Sequence, residues 1–242
     1  MAYASLKQHI RKLNLVLPEW YFLNPKTGEL ESRIDGKSFE LMKKSGVPVM
    51  PLLTNNYNQN FNAATVSMIL HNPAKRHKLI RSLRNECVKH GFIGINIDFE
   101  ELTEKYNEPL TGFMAELSST FHAADLYVTQ DIIPFNEDFD VKSLAQYNDF
   151  LFLMAYDEHS LTSEPGPLSS QRWIEAAVDQ AAKDIPSEKL ILGMAAYGYD
   201  WTSKGDENQS LSYQDALSVA DAVGTLPRFD EDTYNLDFSY TD

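Results

Sequence analysis

Between Gly91 and Glu100 the chain reads Gly-Phe-Ile-Gly-Ile-Asn-Ile-Asp-Phe-Glu, and its second half alternates strictly between apolar and polar residues. Alternate side chains of a β-strand share a face, so Asn96, Asp98 and Glu100 point one way while Ile95, Ile97 and Phe99 point the other. In a parallel barrel whose outer face packs against helices, that polar face is interior and Glu100 sits at the C-terminal rim, where such folds place their chemistry. Two carboxylates this close repel, and a partly dehydrated setting disfavours ionising both. One therefore keeps a proton near neutral pH and can serve as a general acid. An inward row of acids is costly to a strand unless it is used.

Other residues with chemical capacity stand near the ends of apolar runs. Trp20, with Pro18 and Glu19, ends a run that starts at Leu13, and either lines a cleft or packs. Asn55 and Asn56 follow a second run and are hydrogen-bonding candidates at the same rim. Tyr197, Tyr199 and Trp201 either offer flat aromatic faces to a ligand or pack a loop. The six histidines show no ligand spacing, and only His159, near Tyr156 and Asp157, lies close to other candidates. Gly36-Lys37-Ser38 lacks the upstream glycine and strand of a phosphate-binding loop. The single cysteine, Cys87, can form neither an internal disulfide nor a zinc cluster, and reads as a small buried hydrophobe.

The elements that must position these groups follow from the pattern of the chain. Six apolar runs, at 13–20, 47–53, 92–100, 127–134, 150–156 and 190–197, are separated by segments long enough for at least one helix each. That order predicts an α/β fold with parallel strands. Asn72-Pro73 offers a helix cap followed by proline in the first turn, Leu79, Ile80, Leu83 and Cys87 form one stripe, and Gly91 closes the helix. Pro109 opens a second helix with Leu110, Phe113, Met114, Leu117 and Phe121 inward, and a third covers 170–183. The chain opens on a helix at 3–12, and its tail from 228 is short, acidic and aromatic. No linker or repeat marks a boundary, so one domain is expected over 1–242.

The run Gly94-Ile95-Asn96-Ile97-Asp98-Phe99-Glu100 resembles the signature of the family 18 glycoside hydrolases, the chitinase-like group, Asp-Gly-x-Asp-x-Asp-x-Glu on the fourth strand of a (β/α)8 barrel. Ile93 and Asn96 stand where that signature has its first and middle Asp. The Asn version looks like the bacterial branch of spore-cortex-lytic N-acetylglucosaminidases. Phe150 to Asp157, ending Met-Ala-Tyr-Asp, resembles the sixth-strand Met-x-Tyr-Asp motif, and the segment with Tyr197-Gly198 resembles the seventh strand. On this resemblance the visible strands are the second to the seventh, and both ends of a TIM-type barrel are cut off. The family's mechanism retains configuration without an enzyme nucleophile, because the substrate's 2-acetamido oxygen attacks the anomeric carbon. The resemblance makes Glu100 the acid and base, Asp98 the partner of the acetamido N–H, and Tyr156 a hydroxyl donor to the same group. Asp157 would bind sugar hydroxyls and Asn96 would tune Asp98 by hydrogen bonding, with Tyr197, Trp20 and Trp201 against the substrate. No metal or cofactor is required.

Over 242 residues, 21 Lys and Arg against 35 Asp and Glu leave a formal charge of −14, which repels nucleic acid and anionic lipid. No apolar window approaches membrane-spanning length, and the first residues lack the apolar core of a secretion signal. The resemblance implies action on an N-acetylated polysaccharide outside the cytoplasm or at the cell envelope, with self-association where sheet edges are uncovered. A lectin-like barrel that binds without cutting is the alternative. A two-carboxylate glycosidase that does not use the acetamido group is a third.

Overall fold

A computed structural model describes residues 2–58, 60–203 and 207–241. Its backbone contacts divide the chain into two compact units. The first comprises Met1–Ile132, Asn136–Phe152 and Asp184–Lys189; the second comprises Ile133–Phe135, Leu153–Lys183 and Leu190–Asp242.

The first unit runs α1 (Ala2–His9), β1 (Glu19–Leu23), β2 (Leu30–Ser32), α2 (Gly36–Ser45), β3 (Leu52–Thr54), α3 (Ala63–Leu70), α4 (Pro73–His90), β4 (Gly94–Asp98), α5 (Glu108–His122), β5 (Tyr127–Ile132) and α6 (Val141–Tyr147). β6 (Phe150–Met154) begins there and ends in the second unit. Strands lie in the order β2-β1-β3-β4-β5-β6. β1 with β3, β3 with β4 and β4 with β5 are parallel, whereas β2 returns antiparallel along β1. Among the described residues no strand pair closes this sheet on itself.

The expected helices form for the expected reasons. Asn72 accepts a hydrogen bond from Lys75 N at 3.1 Å, Pro73 occupies the first turn, and Gly91 ends α4 at φ 71. Asn107 caps α5 in the same way, through Leu110 N at 2.8 Å. The stripes of both helices are buried, and Cys87 is fully enclosed. Its thiol is pushed up to about 12, chiefly by burial, so it is inert as a nucleophile. The first two apolar runs become strands later than their sequence suggests. Pro18 and Pro51 lack the N–H that a ladder needs, and before them only an isolated bridge, Val16 with Val49, links the two segments.

In the second unit β7 (Leu190–Gly193) follows the end of β6, and Gly193 lies so close that an added Cβ would stand 3.0 Å from Leu153 O. α7 (Gln171–Ala181) begins at Ser170, whose N–H and hydroxyl donate to Glu158 at 2.6 and 3.1 Å. Two hairpins complete it: β8 (Tyr197–Asp200) with β9 (Gln209–Ser212), and β10 (Arg228–Asp230) with β11 (Asn235–Asp237), separated by α8 (Tyr213–Ala222).

Candidate active site

β4 carries the first group of candidate residues. All five of its residues are buried, and beyond it Phe99 meets Phe113 of α5 with ring centroids 6.1 Å apart. The opposite face presents Asn96 and Asp98, in register with Leu52 and Thr54 on β3. Asp98 is only 9% exposed. Burial above all pushes its carboxyl up to about 6, and the charge of Glu19 on β1 adds to this. Hydrogen bonds with the side chains of Thr54 and Glu100 act the other way, favouring the ionised form. A hydrogen bond between two carboxyl groups requires one proton between them, so Asp98 and Glu100 titrate as a pair. Glu19 is itself raised, because burial outweighs the nearby Arg33.

Glu100 is half-buried and its main chain is fixed by a side chain. Asn55, 1% exposed, donates through Nδ2 to Glu100 O and accepts from Glu100 N through Oδ1, both at 2.9 Å. The amide thus replaces a strand partner at the point where β4 has ended, next to Glu101 at φ 53. Asn55→Ala leaves both backbone groups without that partner. Chemical denaturation should show a loss of about 2–3 kcal/mol, and a loss under 0.5 would remove this role.

Asn96 does not spend its side chain on Asp98. Its Nδ2 donates to Asp131 Oδ2 on β5 at 2.7 Å, and its Oδ1 accepts from the Thr129 hydroxyl at 2.6 Å. Asp131 is pushed up to about 8, by burial first and then by the charge of Asp98. Sequence reasoning missed Asp131 and Thr129. The signal was weak: Thr129 and Asp131 share a strand face as Asn96 and Asp98 do on β4, but polar Gln130 between them blurs the alternation.

The second unit gathers Tyr156, Asp157, Tyr197, Tyr199 and Trp201. Asp157 has left-handed backbone at φ 63, and its Oδ1 accepts from both the Tyr197 and Tyr199 hydroxyls at 2.7 Å. Those phenols are raised, first by burial and next by the bond to Asp157, with Tyr199 at about 12, so both remain protonated donors. Alternation along β8 puts Tyr197, Tyr199 and Trp201 in one row. Edge contacts continue the row from Tyr156 to Tyr197 at 6.2 Å, to Tyr199 at 5.5 Å and to Trp201 at 5.6 Å. Trp201 Nε1 donates to Ser160 O at 2.9 Å, which sets its ring. His159 bonds through Nδ1 with Glu164 O at 3.0 Å and belongs to that loop.

Trp20 is the exception among the expected residues. It is 5% exposed and packs against Phe39 and Phe92, at 5.6 and 6.0 Å between centroids. A ring so enclosed has no face open to a sugar, so Trp20 is a packing residue rather than a platform. Among the described residues, no group of three or more His, Cys, Asp or Glu could hold a metal ion, and no helix is long and apolar enough to cross a membrane.

The first unit thus carries an acid pair at a strand end, and the second carries a row of aromatic rings with one shared carboxylate. The chain is similar to the uncharacterized glycosylase YvbX of Bacillus subtilis (strain 168), at 24% identity over 100% of this chain and 73% of the relative. It is similar to the cortical fragment-lytic enzyme of the same organism, also at 24% identity, over 84% of this chain and 50% of the relative, and so spans about half that enzyme's length. Among solved structures, a chitinase from Chromobacterium violaceum ATCC 12472 superposes with a TM-score of 0.88 at 25% identity, covering 97% of this chain and 77% of that one. The fold is the TIM-barrel type of these chitinases, present as a mainly parallel and open sheet. The family model described as glycosyl hydrolases family 18 matches residues 24–241, and the chain belongs to that family of glycosidases.

Proposed function

We propose that this chain cleaves β-linked N-acetylglucosamine in a chitin-like or peptidoglycan-like polysaccharide, with retention of configuration and with the substrate's acetamido oxygen as nucleophile. The observation that carries the reading is the Asp98–Glu100 pair, one carboxyl hydrogen-bonded to the other at the end of a buried strand. Glu100 gives its proton to the leaving glycosidic oxygen while the acetamido oxygen bonds to the anomeric carbon. Asp98, ionised, accepts the acetamido N–H and stabilises the oxazolinium cation. Water then adds to the anomeric carbon, Glu100 takes up its proton, and the ring of the intermediate reopens. No step calls on a metal or cofactor.

The resemblance in sequence extends the roles to the second unit. Tyr156 donates its hydroxyl to the acetamido group, Asp157 binds sugar hydroxyls, and Tyr197 and Trp201 offer aromatic faces to the polysaccharide. Residues 1–242 serve one catalytic domain, which acts at the cell envelope or outside the cell. These assignments rest on the motif positions of the residues.

A substrate comparison tests the reading. N-acetylglucosamine oligomers should be cut with the β-anomer as first product in proton NMR, and de-N-acetylated oligomers should be cut at least about 10³-fold more slowly, because the nucleophile is gone. Equal rates on both would replace this mechanism with a two-carboxylate one that has its nucleophile on the enzyme.

A further inference from the structure

The geometry points to Asp131 as a positioning residue for this reaction: from the neighbouring strand it holds Asn96 in place and keeps the negative charge of the interior acid row on Asp98. The inference rests on the reading of Asp98 and Glu100 as the reacting pair.

Asn96 and Thr129 face each other in the parallel register of β4 and β5. The Thr129 hydroxyl donates to Asn96 Oδ1 at 2.6 Å, which fixes the sense of the amide and turns Nδ2 toward β5. There it donates to Asp131 Oδ2 at 2.7 Å. Asn96 is wholly buried and Thr129 is 1% exposed, so this bridge is shielded from water. Asn96 stands at the middle acid of the signature, and the carboxyl absent from that position is supplied one strand away.

The charges around the bridge are few. Asp98 lies next on β4 with Glu100 beyond it, and Glu19 reaches Asp98 from β1 with Arg33 beside it. β3, at Leu52–Thr54, and β6, at Phe150–Met154, carry no ionisable side chain. Among the described residues neither Asp98 nor Asp131 has an ion-pair partner, and two like charges close together away from water cannot both form at low cost. Asp98 ionises first, near 6, and its charge helps hold the Asp131 proton to about 8. With Asp98 ionised, where the acetamido N–H needs its charge, Asp131 is held as the neutral acid that accepts from Asn96.

Carboxyl carbon NMR titrations of the full chain, with kcat/KM profiles on N-acetylglucosamine oligomers, test this. Asp98→Asn should lower the ionisation of Asp131 by a pH unit or more, about tenfold in proton affinity. Asp131→Ala should lower kcat about tenfold at neutral pH through misplacement of Asn96 and Asp98. Asp131→Asn, which mimics the neutral acid, should recover most of that loss and should lack the inflection near pH 8. Asp131 titrating identically with and without the Asp98 charge would overturn the inference, as would an Asp131→Asn profile that retains the wild-type inflection. The Asp98→Asn titration leaves Asp131 intact, so it decides even if Asp131→Ala fails to fold. Linked titrations in a chain that cuts no N-acetylated oligomer would sink the assignment of the reaction while the linkage stood; an active enzyme with unlinked titrations would sink the role of Asp131 alone.

Discussion

Glu100→Gln should lower kcat on N-acetylglucosamine oligomers by about 10³-fold while KM changes little, because general-acid assistance is worth about 10²–10⁴ in rate. Glutamine keeps the size of the side chain and can still donate to Asp98, so the pair's geometry survives. What it loses is a proton that can be surrendered to a leaving oxygen and recovered from water. The Asn55 clamp acts on the main chain of residue 100 and is indifferent to the exchange, so the fold should persist by circular dichroism. Steady-state kinetics with a calorimetric measurement of oligomer binding gives the answer. Equal rates for wild type and variant, with binding intact, would point to a lectin-like barrel.

Gly94→Ala should be the most damaging small change to the fold. An added Cβ would stand 2.2 Å from Tyr127 O, 2.8 Å from its carbonyl carbon and 2.9 Å from its Cβ. Gly94 pairs with Tyr127 in the β4–β5 ladder, so the obstructing atom is backbone and cannot swing aside. Either the strands part or the register slips, and a slip turns the acid row to the wrong face. A cost of about 3 kcal/mol or more is expected, at the upper end of overpacking effects. For a chain of this size that lowers Tm by about 6–12 °C. Gly112→Ala is the control, since nothing lies within 4 Å of its added Cβ in α5, and alanine favours a helix by up to about 1 kcal/mol. A Tm for Gly94→Ala within 2 °C of wild type would contradict the packing described for β4.

The glycine also shows why part of this molecule could be read from its residues. β4 announces itself because one face is apolar and the other acidic, so period-two alternation assigns every side chain. α4 is equally legible, since Asn72, Pro73 and Gly91 mark its ends by backbone chemistry that tertiary contacts did not override. β1 is not. Trp20, Tyr21, Phe22 and Leu23 are all buried, so both faces look alike and nothing local says which way Trp20 points. The hairpins of the second unit were hidden for another reason: strands of three or four residues with mixed polar and aromatic content carry too little period to detect. Asp131 was missed because it sits inside a run that is apolar on average, and its partner Asn96 is distant in sequence.

Those two acids, Asp98 buried and Asp131 partly so, also make the native chain a proton reservoir. Unfolded aspartates release their protons near 3.8, whereas Asp98 and Asp131 hold theirs to about 6 and about 8. Across that interval the native state is the more protonated one, so by linkage its advantage over the unfolded chain shrinks as the medium turns alkaline, and the penalty is complete above about 8. Acidified surroundings refill the reservoir and strengthen the same scaffold whose Asp98 the chemistry needs charged, so endurance and turnover pull in opposite directions along the pH scale.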